Sequence, residues 1–210
     1  MDSPSRSAPV RWLSDTDAKH FDRDGFIVVR GLTDLDFCRR MEKCVYDSLN
    51  PLIAPLEYEA DVRYPGGPAD RLAPGGDTPR RLLHAYTRDA LSREWATSPP
   101  ITASVMRLLT SDHIKLSQNH HNCVMTKYPS FSSETRWHQD IRYWSFDRPD
   151  LVTVWLALGE EGPANGGLAL IPRTHRLELD RGRFDAELFV RGDLRENQEL
   201  IQTAKTVRYR

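Results

Sequence analysis

The chain has 210 residues, with 29 Lys plus Arg against 30 Asp plus Glu and a net charge of −1. That balance gives no electrostatic case for nucleic acid or an anionic membrane surface as partner. Hydrophobic residues at 39% and charged residues at 28% suit one soluble globular domain with a sizeable core, and no run nears the roughly 18 apolar residues of a membrane span.

Residues 1–13 carry Pro, Ser and Arg and are expected to be loosely held; a single domain is expected over 14–210. The opening "MDSPSRSAPVRW" lacks the apolar core of a secretion signal. Cys38, Cys44 and Cys123 show no Cys-x-x-Cys spacing, which argues against a disulfide framework or a zinc site and predicts a reducing, cytoplasmic setting. Ser14 is placed to cap a helix running to Arg23, with Asp15 and Asp17 near its positive end. Asp24-Gly25 makes a turn, and Phe26-Ile27-Val28-Val29 reads as a buried strand. Thr33 is the expected cap of a helix over 34–48, with Phe37, Met41, Cys44, Val45 and Leu49 on its core-facing stripe.

Between Pro51 and Pro79, six prolines and two Gly-Gly pairs break any long element, so a long loop is expected, lining an entrance or merely decorating the surface. Arg80 to Tyr86 reads as a short strand. Thr87 and Ser98 are the expected caps of helices over 88–96 and 99–110, with Pro99 and Pro100 harmless in a first turn. His113 to Lys127 alternates like two antiparallel strands. His120 and His121, being adjacent, face opposite ways on a strand and read as structural or substrate-contacting. Leu151 to Leu158 reads as a buried strand, Asn165-Gly166-Gly167 as a hairpin turn, and Leu168 to Ile171 as the returning strand. Residues 174–200 are highly charged and read as a peripheral connection with some helix. Thr203 to Arg210 reads as the start of a strand. Short strands, tight turns and an N-terminal helical layer predict a mainly β, α+β fold with a jelly-roll core packed on helices.

The chemistry centres on Trp137-His138-Gln139-Asp140. On an extended backbone side chains alternate faces, so His138 and Asp140 point one way and Gln139 the other. A neutral imidazole and a carboxylate meeting at one point form two corners of the facial triad that holds non-heme Fe(II), although an incidental His-x-Asp at an exposed strand end would read the same.

Three stretches sharpen this reading: "FDRDGFIVVRGL", "WHQD" and "LVTVWLALGEEGPANGGLALIPRTH". Together they resemble the phytanoyl-CoA dioxygenase family of Fe(II)/2-oxoglutarate oxygenases, from about Phe21 to at least His175. The resemblance implies a double-stranded β-helix, or cupin-like jelly roll. It also implies Fe(II), with 2-oxoglutarate and O2 as co-substrates, for hydroxylation of an unactivated C–H bond of a small organic molecule. His138 and Asp140 match two iron ligands. Gln139, Trp155, Cys123 and Lys127 fall at family positions near the co-substrate, and Arg81 or His84 at that of a basic contact. Asp140 fills the position that halogenating relatives leave to chloride, so hydroxylation is expected.

The chain departs from the family pattern after His175, which matches a histidine preceding the distal ligand and not that ligand. No later histidine follows. The resemblance therefore implies C-terminal truncation before the third ligand and the 2-oxoglutarate-anchoring arginine, with poor cofactor binding by the 210-residue chain alone. The alternatives are that His175 substitutes as the third ligand, or that the chain is a jelly-roll relative that binds a ligand without turnover.

Overall fold

A computed structural model describes residues 11–119 and 121–208. The expectations for residues 1–10, His120 and residues 209–210 lie outside the described residues. The described chain is a mixed α/β structure of seven α-helices and two small antiparallel sheets.

The helices form where local signals are strongest. Helix α1 spans Asp15–Asp24; Ser14 and Asp17 close a reciprocal capping box, and Gly25 ends the helix in the left-handed region at φ 83°. Helix α2 spans Leu35–Leu49, with Phe37 and Met41 buried. Its cap is Asp34, whose carboxylate accepts from Phe37 N at 2.7 Å, and not Thr33 as expected. Helix α3 is the short Glu59–Val62 turn inside the proline-rich segment. Helix α4 spans Ala85–Arg88 and α5 Ala90–Thr97; Asp89, rather than Thr87, caps the latter. Helix α6 spans Pro99–Leu109, with its prolines in the first turn. Helix α7 spans Arg195–Ile201. Helices α1, α2, α5 and α6 pack into a layer, where Phe37 meets Trp95 with ring centroids 6.2 Å apart.

The first sheet has strand order β1 (Leu56–Tyr58), β2 (Pro79–Leu83), β3 (Cys123–Met125), all antiparallel. Leu82, at its centre, is fully buried. The second sheet pairs β4 (Ala169–Leu170) with β5 (Lys205–Thr206).

Several expected strands are absent among the described residues. Phe26–Val29 is half-buried without a ladder partner. The run 151–158 is unpaired, and its Val154 and Trp155 are exposed. The turn after it explains this. Gly162 O accepts from both Asn165 N and Gly167 N, so the loop closes on itself over six residues. That geometry lacks the two-residue register of a hairpin, and β4 turns to β5 instead. In the 113–127 region only Cys123–Met125 pairs, because His121 at φ 49° breaks the extended run. His138 to Asp140 is no ladder strand either. Gln139 is extended, and a 3-10 turn begins at Asp140.

One buried ion pair ties the proline-rich segment to this sheet. Arg80, 1% exposed, donates from Nη1 to Glu59 Oε2 at 3.1 Å and to Ser133 Oγ at 2.7 Å. Ser133 donates to the same carboxylate from its hydroxyl at 2.6 Å and from its N–H at 3.0 Å. Burial alone would raise the Glu59 carboxyl. The Ser133 hydrogen bonds and the Arg80 charge outweigh it and hold the carboxyl below the ordinary glutamate range.

Replacing Arg80 by Leu strands a buried carboxylate, so a loss of about 3–5 kcal/mol is expected, read as a lower urea midpoint. The Glu59 contribution is complete above its unfolded pKa and is lost as pH falls through the lower folded-state value. Glu59→Gln should therefore flatten the acid limb of stability against pH; an unchanged acid limb would refute this assignment.

Candidate functional site

The segment from Ser133 to Tyr143 carries the site. It enters on the Arg80–Glu59 pair, with Arg80 Nη2 also donating to Thr135 Oγ1 at 3.3 Å. At its far end, His138 and Asp140 do turn to the same side, and their side chains meet with His138 Nε2 3.1 Å from Asp140 Oδ1. The other nitrogen, Nδ1, lies 2.7 Å from the Arg136 carbonyl, which accepts its proton. That bond fixes the ring orientation and leaves Nε2 facing the carboxylate. The ring is boxed edge-on by Tyr143 at 5.7 Å and by Phe189 at 6.0 Å.

A second histidine joins them. His121 Nδ1 lies 3.4 Å from Asp140 Oδ2, so each carboxylate oxygen faces one imidazole. Burial would raise the Asp140 pKa, but the two histidines hold it well below the usual carboxylate range. Burial would lower that of His138; the Asp140 and Arg136 bonds reverse the sign and raise it. Desolvation, with nearby Tyr64 and three carboxylates, pushes Tyr143 up to about 12.

Gln139 faces away, as alternation requires. Its amide donates to Thr174 O at 3.3 Å and Leu177 O at 3.2 Å. Arg142 donates from Nε to Gln139 Oε1 at 3.3 Å and from Nη2 to Leu179 O, and it stacks over Phe184 at 3.8 Å. Tyr143 donates to Glu187 O, and Val190 N donates to Trp137 O at 2.7 Å. The charged 174–190 stretch, expected to be peripheral, is thus the wall on which the site segment rests.

The remaining predicted residues occupy other surroundings. Lys127 donates from Nζ to Ser133 O at 3.1 Å; desolvation, then Arg80, lowers its pKa. Cys123 lies in β3 opposite Leu83, with its thiol pushed up by burial. Trp155, 37% exposed, donates from its indole to Glu161 Oε2 at 3.0 Å. Arg81 lies 3.6 Å from Glu57, and its Nε is buried without a hydrogen bond. His84 adopts a left-handed backbone and precedes α4. His175 sits at the C-terminal end of α1. Its Nε2 lies 3.1 Å from Asp22 O, and its ring fills the space that a Cβ at Gly25 would need.

His138 and Asp140 supply the nitrogen and oxygen donors that Fe(II) takes, already side by side. Among the described residues no group of three His, Cys, Asp or Glu side chains is arranged to hold a metal ion. His121 was expected to be structural or substrate-contacting, and the spacing did not give its contact with Asp140. Its position depends on a left-handed backbone that no local motif announces.

A family model described as "Phytanoyl-CoA dioxygenase (PhyH)" matches residues 21–208. A curated protein described as "Ectoine dioxygenase", from Sphingopyxis alaskensis, is 26% identical over 172 residues. The match covers 80% of this chain and 51% of that protein, so the chain spans about half the length of this relative. No solved structure matches the chain.

Gln139→Ala removes two anchors of the 174–177 turn. Faster tryptic cleavage after Arg173 and Arg176 is expected, with a stability loss of about 0.5–1.5 kcal/mol, since water reaches the exposed Leu177 carbonyl. A cleavage rate equal to that of the parent protein would show that the turn holds without Gln139.

Proposed function

The chain belongs to the phytanoyl-CoA dioxygenase family, and on that premise we propose an Fe(II)- and 2-oxoglutarate-dependent dioxygenase that hydroxylates a C–H bond of a small organic substrate. The observation that carries this reading is the meeting of His138 Nε2 with Asp140 Oδ1 while Nδ1 is committed to Arg136 O. In the neutral ring, that commitment turns the Nε2 lone pair toward an anionic oxygen. Two acceptors then face each other, an arrangement that a proton or a bound cation relieves. His138 and Asp140 would be the protein ligands. When bound, iron, 2-oxoglutarate and O2 supply oxidation of the C–H bond to an alcohol, with release of succinate and CO2.

The chain's own residues orient and shield. Tyr143 and Phe189 fix the His138 ring and limit water around it. Lys127, Trp155, Cys123 and Gln139 are proposed for the co-substrate side. For Trp155 this means exchanging Glu161 for the ligand, and for Gln139 acting through the 174–177 turn. The double-stranded β-helix belongs to the same reading, with the two antiparallel sheets as its supporting pieces. No helix among the described residues is long and apolar enough to cross a membrane, which is compatible with a cytoplasmic enzyme.

A second reading is a relative that binds a ligand without turnover, since His138 and Asp140 bring together two donors where a facial triad takes three. Fe(II)-dependent conversion of 2-oxoglutarate to succinate separates the two. Ectoine is the first candidate substrate, being the one named for the relative.

Asp140→Ala and His138→Ala should each abolish Fe(II)-dependent succinate formation and leave the circular dichroism spectrum unchanged. Full activity in Asp140→Ala would overturn the ligand assignment. In chloride buffer the product should be hydroxylated, because Asp140 occupies the position chloride would need; a chlorinated product would refute that.

A further inference from the structure

We propose that His121 is a positioning residue for Asp140, holding its Oδ2 so that Oδ1 alone is presented beside His138 Nε2. The inference rests on the metal-ligand reading of His138 and Asp140. Three observations converge on it. His121 Nδ1 lies 3.4 Å from Oδ2, and His138 Nε2 lies 3.1 Å from Oδ1, so the two imidazoles divide the carboxylate between them. The ring of His121 stands edge-on to Trp144, with centroids 4.9 Å apart and planes at 81°. Its backbone is left-handed at φ 49°, an unfavourable region for a residue with a Cβ that persists only where the surroundings impose it.

The surroundings do impose it. The next residue, Asn122, accepts Ala85 N on its carbonyl at 2.9 Å and Tyr86 N on its side-chain oxygen at 2.7 Å. Its amide donates to Ser117 O at 3.4 Å. Position 121 is thus pinned between the start of α4 and the Trp144 ring, with the imidazole delivered to Asp140.

The function of that contact follows from carboxylate chemistry. A free Asp140 could swing both oxygens toward one cation, and bidentate binding would consume a position that a non-heme oxygenase leaves open. A His121 N–H directed at Oδ2, which lies 3.4 Å away, would hold the group monodentate and fix its plane, as carboxylate-supporting residues do at metal sites generally. His121 itself stays outside the coordination sphere, since its nitrogen addresses the oxygen remote from His138.

The test uses the 210-residue chain and Co(II) as probe, titrated by calorimetry and by visible absorption, with the fold followed by near-ultraviolet circular dichroism. His121→Ala should weaken Co(II) binding about 10–100-fold. His121→Asn places an amide N–H close to the Nδ1 position and should return affinity to within about threefold of the parent, as expected if only that donor matters. Parent affinity in His121→Ala, or a loss in His121→Asn equal to that in His121→Ala, overturns the positioning role. Electron spin-echo measurement on the vanadyl-loaded protein should show the same number of imidazole nitrogens in the parent and in His121→Asn. One nitrogen fewer would make His121 a direct ligand and also overturn it. Weak Co(II) binding is expected of the 210-residue chain and is enough for the comparison; if the parent binds none, or His138→Ala binds it unchanged, the ligand reading itself fails and this inference falls with it.

Discussion

A guanidinium and a carboxylate share the interior at Arg80 and Glu59, and the site depends on their being there. Neither charge can be left alone in a medium of low polarity, so each constrains whatever approaches it. Ser133 completes the arrangement by bonding both. Its position five residues before His138 makes the pair an anchor for the site segment. The constraint continues through aromatic rings. Arg80 lies over Tyr64 at 4.8 Å, Tyr64 meets Phe189 at 5.1 Å, and Phe189 meets His138 at 6.0 Å. A path of close packing thus runs from a buried ion pair in the first sheet to the imidazole where the proposed chemistry takes place.

The second constraint is the alternation of three residues. Because His138 and Asp140 face one way, Gln139 must face the other, and there it meets carbonyls of the 174–177 turn. That turn also delivers His175 to the end of α1, where the missing Cβ of Gly25 makes room for the ring. Arg176 pairs with Asp22 beside it. One short peptide therefore presents ligand candidates on one face and fastens the site to the N-terminal helical layer with the other. His175 braces the scaffold here, with its Nε2 against the Asp22 carbonyl and its ring against Gly25.

Legibility in the sequence tracked the range of the interaction. Helix α1 was readable because Ser14, Asp17 and Gly25 are its own caps, and α6 because its prolines lie in its own first turn. The common side of His138 and Asp140 was readable because period-two alternation needs only one extended residue, Gln139. The partner of β4 was not: the choice between residues 151–158 and β5 depends on how the loop 162–167 folds. Arg80 was equally hidden. In "RRLL" the two arginines look alike, and what buries Arg80 is Glu59, 21 residues earlier, and Ser133, 53 residues later. The contact of His121 with Asp140 was not legible, because the left-handed backbone that turns its ring there is announced by no local motif.

The division of Asp140 between two imidazoles is where these constraints meet. His138 reaches Oδ1 because Arg136, Tyr143 and Phe189 fix its ring. His121 reaches Oδ2 because Asn122 and Trp144 fix its backbone and ring. Two rigid supports acting on opposite oxygens leave the carboxylate little rotational freedom, and a group held this way needs no reorganisation when a cation arrives. A protonated His138 can satisfy the same geometry in the metal-free protein, since Asp140 stays ionised well below the usual carboxylate range. Metal entry would then displace a proton from Nε2, and the ligand pair would move little between the two states.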